Sequence, residues 1–509
     1  MLARLHSITL EGIEGVICEV EVDVARGGLE KAMVVGLPDV AVKESSERVK
    51  SAIVNSGFGY PKTQSLINLA PADIRKEGPA FDLPISLGML AGQGILACDQ
   101  IGDYVIVGEL ALDGRVRSVN GVLSMAMTAV KGGFSKMIAP LDNAAEAAVV
   151  EGLEVYGVGS LAQAVSFLGG QLELEPSVVD LEKLFEVSTN YEVDFSDVRG
   201  QESVKRALTI AAAGGHNIMM IGPPGAGKTM LAQRLATILP DLTLAESLET
   251  TRIYSSAGLL KKGQSLLAKR PVRMPHHSSS GPALIGGGTN PRAGELSLAN
   301  YGILFLDEFA EFPRNVLELI RQPLEDATVT ISRAKASVTF PASFMLVAAM
   351  NPCPCGYYGS AVRSCKCTPN QIERYMSKIS GPLMDRIDLH IDVPAVTFGK
   401  LRSRSSGETS EQIRKRVVEA RAVQYSRFGD GKIMTNSRMS HKQVEKYCVL
   451  DDSGEMMLKT AMREFGLSAR AHDKICKVAR TIADLEKSPS IAPEHIAEAI
   501  SYRKLDRRL

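Results

Sequence analysis

The chain has 509 residues, 58 basic and 58 acidic, and a formal net charge of zero, which excludes a global field drawing it to nucleic acid or anionic lipid; any such contact must come from a local patch. Hydrophobic content of 45% and charged content of 23% describe an ordinary globular protein, long enough for about two to four domains. No stretch approaches ~18 uninterrupted apolar residues and the first residues lack an apolar signal core, so the expectation is a cytoplasmic protein without membrane contact. In that reducing setting eight cysteines argue against a disulfide framework.

Residues 1–168 read as a mixed α/β domain. Val16, Cys18, Val20, Val22 and Val24 alternate with Glu19, Glu21 and Asp23, the period-two pattern of a half-buried strand. The pattern predicts a helix over 40–56 and a strand over 65–69. Segments 104–109 and 115–119 flank the turn signal Leu112-Asp113-Gly114 as a hairpin. A helix over 123–130, a strand over 154–158 and a helix over 161–168 follow. Residues 169–190 are acidic and read as a linker with one short helix.

The stretch Gly222-Pro223-Pro224-Gly225-Ala226-Gly227-Lys228-Thr229 has the form G-x-x-x-x-G-K-T. Glycines there let successive backbone N–H groups face phosphate oxygens, the lysine places a positive charge toward the β- and γ-phosphates, and the threonine hydroxyl can ligate Mg²⁺. An apolar run, 217–221, precedes it and a helical pattern follows, so the loop sits at a helix N-terminus where the dipole favours an anion. ATP and Mg²⁺ are therefore the expected cofactors. A second apolar strand, 303–306, ends in Asp307 and Glu308. A Mg²⁺-dependent ATPase needs two carboxylates there: Asp307 would hold the metal through water and Glu308 would polarise the attacking water.

Between these signals, 240–300 is an insertion, locally basic and carrying Pro275-His276-His277. Adjacent histidines do not share a face, so a polar loop is favoured over a metal site. Segments 328–332 and 336–340 alternate about a short turn with Arg333 and Lys335 at a basic tip. Such a basic tip is a candidate contact for DNA phosphates, although no aromatic residues are interleaved to stack on bases. Another buried strand, 344–350, delivers Asn351. Cys353-Pro354-Cys355 and Cys365-Lys366-Cys367 make a plausible tetrahedral thiolate site for Zn²⁺, the alternative being reduced cysteines in a loop. Cys18, Cys98, Cys448 and Cys476 read as core. Beyond a polar hinge at 401–408, Thr409 and Gln412 fit a capping box opening a basic helix, and the remainder, with Ser468-Ala469-Arg470 at a helix start and Pro493 opening the last helix, is helical.

Two resemblances extend this reading. Lys76-Glu77-Gly78-Pro79-Ala80-Phe81-Asp82 and the segment Asn120-Gly121-Val122-Leu123 are similar to the loops that carry the catalytic serine and lysine of Lon-type proteases. Ala80 and Leu123 occupy those two positions, so the resemblance implies a Lon-like (ribosomal S5 domain 2-like) fold without protease chemistry. The second half resembles AAA+ ATPases. There Gly200-Gln201 would border the adenine, Asn351 would sense the γ-phosphate, and Arg386 in Gly381-Pro382-Leu383-Met384-Asp385-Arg386 would be an arginine finger reaching the next subunit's site. Arg470 would be a second sensor reaching ATP from the lid. With Arg273-Met274-Pro275-His276-His277, Arg321-Gln322-Pro323-Leu324-Glu325-Asp326 and Asn351-Pro352-Cys353-Pro354-Cys355-Gly356, the whole chain resembles the YifB/ComM family of magnesium-chelatase-like AAA+ proteins.

That resemblance implies an α/β multidomain protein: a Lon-like α+β domain over 1–168, a linker over 169–190, an AAA+ P-loop core over 191–398 and a helical lid over 399–509. It further implies a homo-hexameric, ATP-driven motor on single-stranded or branched DNA, promoting branch migration in recombination or DNA uptake. A protein-remodelling ATPase that recruits a protein partner through the first domain and a metal-chelatase motor subunit are the alternatives.

Overall fold

The computed structural model describes residues 1–25, 27, 30–97, 100–187, 191–288, 291–332, 337–359, 363–395, 407–429 and 435–503. The chain divides into two compact units. The first comprises Met1–Ser188, Thr243–Ala268 and Asn290–Arg292; the second comprises Thr189–Leu242, Lys269–Thr289 and Ala293–Leu509.

The first unit is built on a mixed seven-stranded sheet in the order Lys31–Val35, Gln64–Ala70, Glu14–Val24, Leu2–Glu11, Tyr104–Ile106, Lys136–Pro140, Glu154–Val158. The alternating run sits in Glu14–Val24, antiparallel to Leu2–Glu11 with Val20 opposite Leu5 and Val22 opposite Ala3. Each face carries an apolar layer. On one, Leu5, Val20 and Val22 pack with Val49 and Ile53 of helix Val40–Asn55 and with Leu83 and Leu87 of helix Asp82–Gly92. On the other, Ile8, Val105 and Met137 pack with Met125 and Ala129 of helix Val122–Lys131. Tyr104–Ile106 is an inner strand paired with Lys136–Pro140, and the predicted hairpin is confined to Glu109–Leu110 against Val116–Arg117. Ala80 lies in the second of those apolar clusters, whereas Leu123 is wholly buried with Val149 and Leu266. Neither position presents a reactive group.

The second unit has a five-stranded, wholly parallel sheet ordered Val272–Arg273, Ile303–Leu306, Met345–Met350, Ile218–Ile221, Leu389–Asp392. Sequence-distant strands thus meet at the centre, and the loops leaving Ile221, Leu306 and Met350 emerge together along one edge. A parallel sheet buried on both faces needs continuous apolar strands, and Ile218–Ile221, Ile303–Leu306 and Met345–Met350 are buried at every residue. Thr328–Ser332 and Ser337–Pro341 pair antiparallel, Val329 opposite Phe340. Their tip, with Arg333 and Lys335, lies outside the described residues. The C-terminal region is helical. Helix Ser410–Phe428 opens with the capping box of Thr409 and Gln412, helix Ala469–Leu485 opens on the Ser468 hydroxyl, and Pro493–Ser501 closes the fold.

Candidate functional site

The phosphate loop links strand Ile218–Ile221 to helix Lys228–Leu235. Gly222 N–H donates to Met350 O at 3.2 Å, tying the loop to the central strand. A Cβ at position 222 would lie 2.3 Å from Val393 O, so only glycine permits that approach. Gly227, at φ +86°, turns the chain through the left-handed region that glycine enters without strain. From behind, Gln201 Nε2 donates to Ala226 O at 3.0 Å and to Pro394 O at 2.9 Å, so Gly200-Gln201 braces the loop.

Lys228 is buried, and its Nζ donates to Gly222 O at 2.8 Å, Pro223 O at 3.1 Å and Asn351 Oδ1 at 3.2 Å. All three partners are neutral. Burial pushes the ammonium's pKa below the usual lysine range, and the charge of Asp307 partly opposes this. A buried cation satisfied only by neutral oxygens gains from an anion, and a phosphate beside Gly225 and Gly227 supplies one. Thr229 Oγ1 donates to Asp307 Oδ2 at 2.7 Å. Two neighbouring ligands of an octahedral Mg²⁺ stand about 2.9 Å apart, given ~2.05 Å bonds. The hydroxyl and carboxylate are therefore spaced to share the ion directly or through water, and the residues fit nucleotide and Mg²⁺.

Glu308 follows Asp307 at φ +51°, which turns its side chain away from the strand. Its Oε2 stands 2.9 Å from His277 Nδ1, and the His277 ring meets Phe312 edge-on. The insertion thus delivers one histidine of the Pro275-His276-His277 motif to the carboxylate expected to polarise water. The sequence contains the motif, but the pairing of residues 31 apart in number comes from the parallel arrangement of Val272–Arg273 beside Ile303–Leu306.

Arg386 and Arg470 are not brought to this loop. Both line a cleft of about 300 Å³ with Asn217, Phe344, Arg438 and Lys474. Asn217 and Phe344 immediately precede strands Ile218–Ile221 and Met345–Met350, so the cleft lies along the amino edge of the sheet. The phosphate loop leaves the carboxyl edge, about 13 Å away along a four-residue strand. Within one chain Arg470 therefore does not reach a nucleotide on its own phosphate loop. Arg386 Nη1 donates to Pro382 O at 2.7 Å and Nη2 stands 2.7 Å from Glu325 Oε1, while Nε is buried without a hydrogen-bond partner. Arg438 was not flagged by sequence, and Glu325 appeared only within the Arg321–Asp326 motif, with no role assigned. Only folding joins the helical region to the amino ends of the strands.

This cleft is anchored by Asp388. Its Oδ1 accepts from Lys474 Nζ at 2.5 Å, and its Oδ2 accepts from Asn217 N at 3.1 Å and faces His216 Nδ1 at 3.4 Å. Burial alone would raise the carboxyl's pKa, but Lys474 and His216 outweigh it and hold the group well below the ordinary range. A depressed carboxyl contributes stability that is present above its unfolded pKa near 4 and lost as pH falls through the folded value. Asp388→Asn is expected to cost about 3–5 kcal/mol by leaving Lys474 buried and unpaired. A chemical denaturation midpoint unchanged from wild type at pH 7 would refute this.

The four predicted thiols converge. Cys353, Cys355, Cys365 and Cys367 place their sulfur atoms within 4.8 Å of one another. All four are free thiols, as are the buried Cys18, Cys448 and Cys476; Cys98 lies outside the described residues. N–H groups of Lys366 and Tyr357 lower the Cys355 thiol to about 6; the Cys367 N–H lowers Cys365, but loss of hydration and the neighbouring sulfurs together outweigh it and push that thiol up to about 12.

Family models match most of the chain. One described as magnesium chelatase, subunit ChlI, matches residues 194–401; subunit ChlI of Mg-chelatase matches 20–143; and magnesium chelatase, subunit ChlI C-terminal, matches 407–503. Competence protein ComM of Haemophilus influenzae is 44% identical over 516 residues, covering 100% of this chain and 98% of that protein. The chain belongs to the YifB/ComM family of magnesium-chelatase-like AAA+ proteins. The uncharacterized protein YifB of Escherichia coli is 42% identical, again over 100% of this chain and 98% of its own length. A more distant relative, the zygotic DNA replication licensing factor mcm6-A of Xenopus laevis, is 23% identical over 72% of this chain and 46% of that protein. Membership in this family implies use of nucleotide and Mg²⁺, in keeping with the phosphate loop and the Thr229–Asp307 contact. Among the described residues, no helix is long and apolar enough to cross a membrane.

Proposed function

We propose that this YifB/ComM-family chain hydrolyses ATP as a ring of identical subunits, six by analogy with its class, and that the ring moves along single-stranded or branched DNA. The observation that carries the reading is the division of the catalytic groups. Lys228, Thr229, Asp307, Glu308 and Asn351 gather at the carboxyl edge of the sheet, whereas Arg386 and Arg470 gather at the amino edge. One copy holds both halves of a site but cannot join them. A head-to-tail neighbour can, and such heterologous contacts close into rings.

In that assembly Lys228 and the loop N–H groups hold the phosphates, and Asn351 contacts the terminal one. Glu308, positioned by His277, takes up a proton from the attacking water. Mg²⁺, held through Thr229 and Asp307, would neutralise charge on the phosphate oxygens. Arg386 and Arg470 enter from the neighbour and stabilise the charge that develops on the transferred phosphoryl group.

DNA as the substrate rests on the basic residues Arg333 and Lys335 and on two relatives' names. One is a competence protein and the other a DNA replication licensing factor. The test is steady-state ATP hydrolysis with and without single-stranded, duplex and four-way-junction DNA. Stimulation is expected with at least one of them, falling with salt and lost in Arg333→Ala/Lys335→Ala. Hydrolysis indifferent to every DNA, yet raised by an unfolded protein, would replace this reading with protein remodelling through the first unit.

A further inference from the structure

The four-cysteine cluster has no part in the chemistry above, yet it adjoins it in the chain. Cys353 lies two residues beyond Asn351. Its sulfur stands 3.4 Å from Cys355 Sγ and 3.7 Å from Cys365 Sγ, and the latter two are 3.6 Å apart. In a disulfide the two sulfur atoms stand about 2.05 Å apart. Four thiolates around Zn²⁺ at about 2.3 Å place their sulfurs about 3.8 Å from one another. These three separations match the second geometry, and Cys367 completes the set within 4.8 Å. Backbone donors are arranged around the sulfurs: Tyr358 N–H points to Cys353 Sγ at 3.3 Å and Cys367 N–H to Cys365 Sγ at 3.4 Å. Such N–H groups stabilise thiolates and orient them toward a metal.

The loop that carries the first pair is wedged against the phosphate loop. Gly356 N–H closes a turn onto Cys353 O at 2.9 Å. A Cβ at Gly356 would lie 2.6 Å from Pro224 Cδ, so the turn and the phosphate loop are in direct contact. Asn351, at the start of the same loop, accepts from Lys228.

We propose that Cys353, Cys355, Cys365 and Cys367 form a structural tetrathiolate zinc site that fixes the Asn351–Gly356 loop against the phosphate loop and so sets the position of Asn351. The coordination is closed, with no open position for substrate, so the ion's role is to hold backbone. The consequence for nucleotide rests on the ATP-binding reading above; the metal site itself does not.

The test uses the full chain, purified under reducing conditions without metal-affinity resin. Elemental analysis should find about one zinc per chain, released by a mercurial thiol reagent and absent from Cys353→Ser/Cys355→Ser, while Cys18→Ser retains it. Replacement by Co²⁺ should give the intense absorption of tetrahedral cobalt thiolate. Wild-type protein that neither carries zinc nor takes it up when supplied overturns the proposal, as does iron in its place or zinc that persists in the double variant. Removing the metal from wild-type protein should weaken binding of a non-hydrolysable ATP analogue about tenfold, the scale of one lost hydrogen bond to a charged group. Unchanged affinity after demonstrated zinc loss overturns the positioning role. Failure of the protein to bind any nucleotide, with zinc present, would instead overturn the ATPase reading.

Discussion

Arg386→Ala is expected to slow ATP turnover at least a thousandfold while leaving nucleotide affinity close to wild type. The arginine lies at the sheet edge opposite the phosphate loop of its own chain, so its removal leaves the loop's contacts with bound nucleotide in place. A cation inserted from a neighbour onto the transferred phosphoryl group is worth about 10³–10⁵ in rate. In the single chain the guanidinium is held by Glu325 and Pro382 O, and these partners must yield when it enters a neighbour's site. Mixing decides whether the role is exercised between chains. An Arg386→Ala subunit still has Glu308, and a Glu308→Gln subunit still has Arg386, so a ring containing both regains some complete sites. With random assembly about a quarter of the junctions are restored. Turnover that stays at background across all mixing ratios would refute action across the junction.

Glu308→Gln is expected to lower turnover by about 10²–10⁴, the usual contribution of a positioned base, and to leave ATP bound. The substitution preserves shape and can still hydrogen-bond His277, so the loop and Lys228 are undisturbed. Fluorescent-nucleotide binding measured beside phosphate release separates the two effects. Ordinary turnover in the variant would remove Glu308 from the mechanism, and lost binding would show that the carboxylate holds the site together.

Much of the second unit was legible because its motifs are local. The phosphate loop needs a strand before it and a helix after it, and Asp307 and Asn351 each end an apolar strand, so a few residues of context fix each reading. The antiparallel pair Thr328–Ser332 and Ser337–Pro341 announced itself by alternation. Helix Asp82–Gly92 escaped notice because nearly every residue in it is buried; a helix apolar all round has no period to read. Strand Leu2–Glu11 lies inside the sheet and is buried on both faces over Ser7–Thr9, so its alternation is lost along its second half. Helix Leu244–Ser256 carried a readable signal in its Thr243 and Glu246 capping box, but the surrounding glycines and lysines made the insertion read as loop. The meeting of Arg386, Arg438 and Arg470 had no local signature. It depends on strand order and on how the C-terminal helices return to the sheet.

The excursion Thr243–Ala268 makes the two halves less separable than their motifs suggest. This stretch lies between the phosphate loop and Asp307 in the chain, yet its Leu248 and Leu266 pack with Leu123 and Val149 of the first unit, and Arg252 pairs with Glu14 there. A gene cut at the acidic linker would still encode the excursion but not the surface that covers it, leaving two leucines and a guanidinium stripped of partners. The first unit is therefore not contained in the residues before that linker.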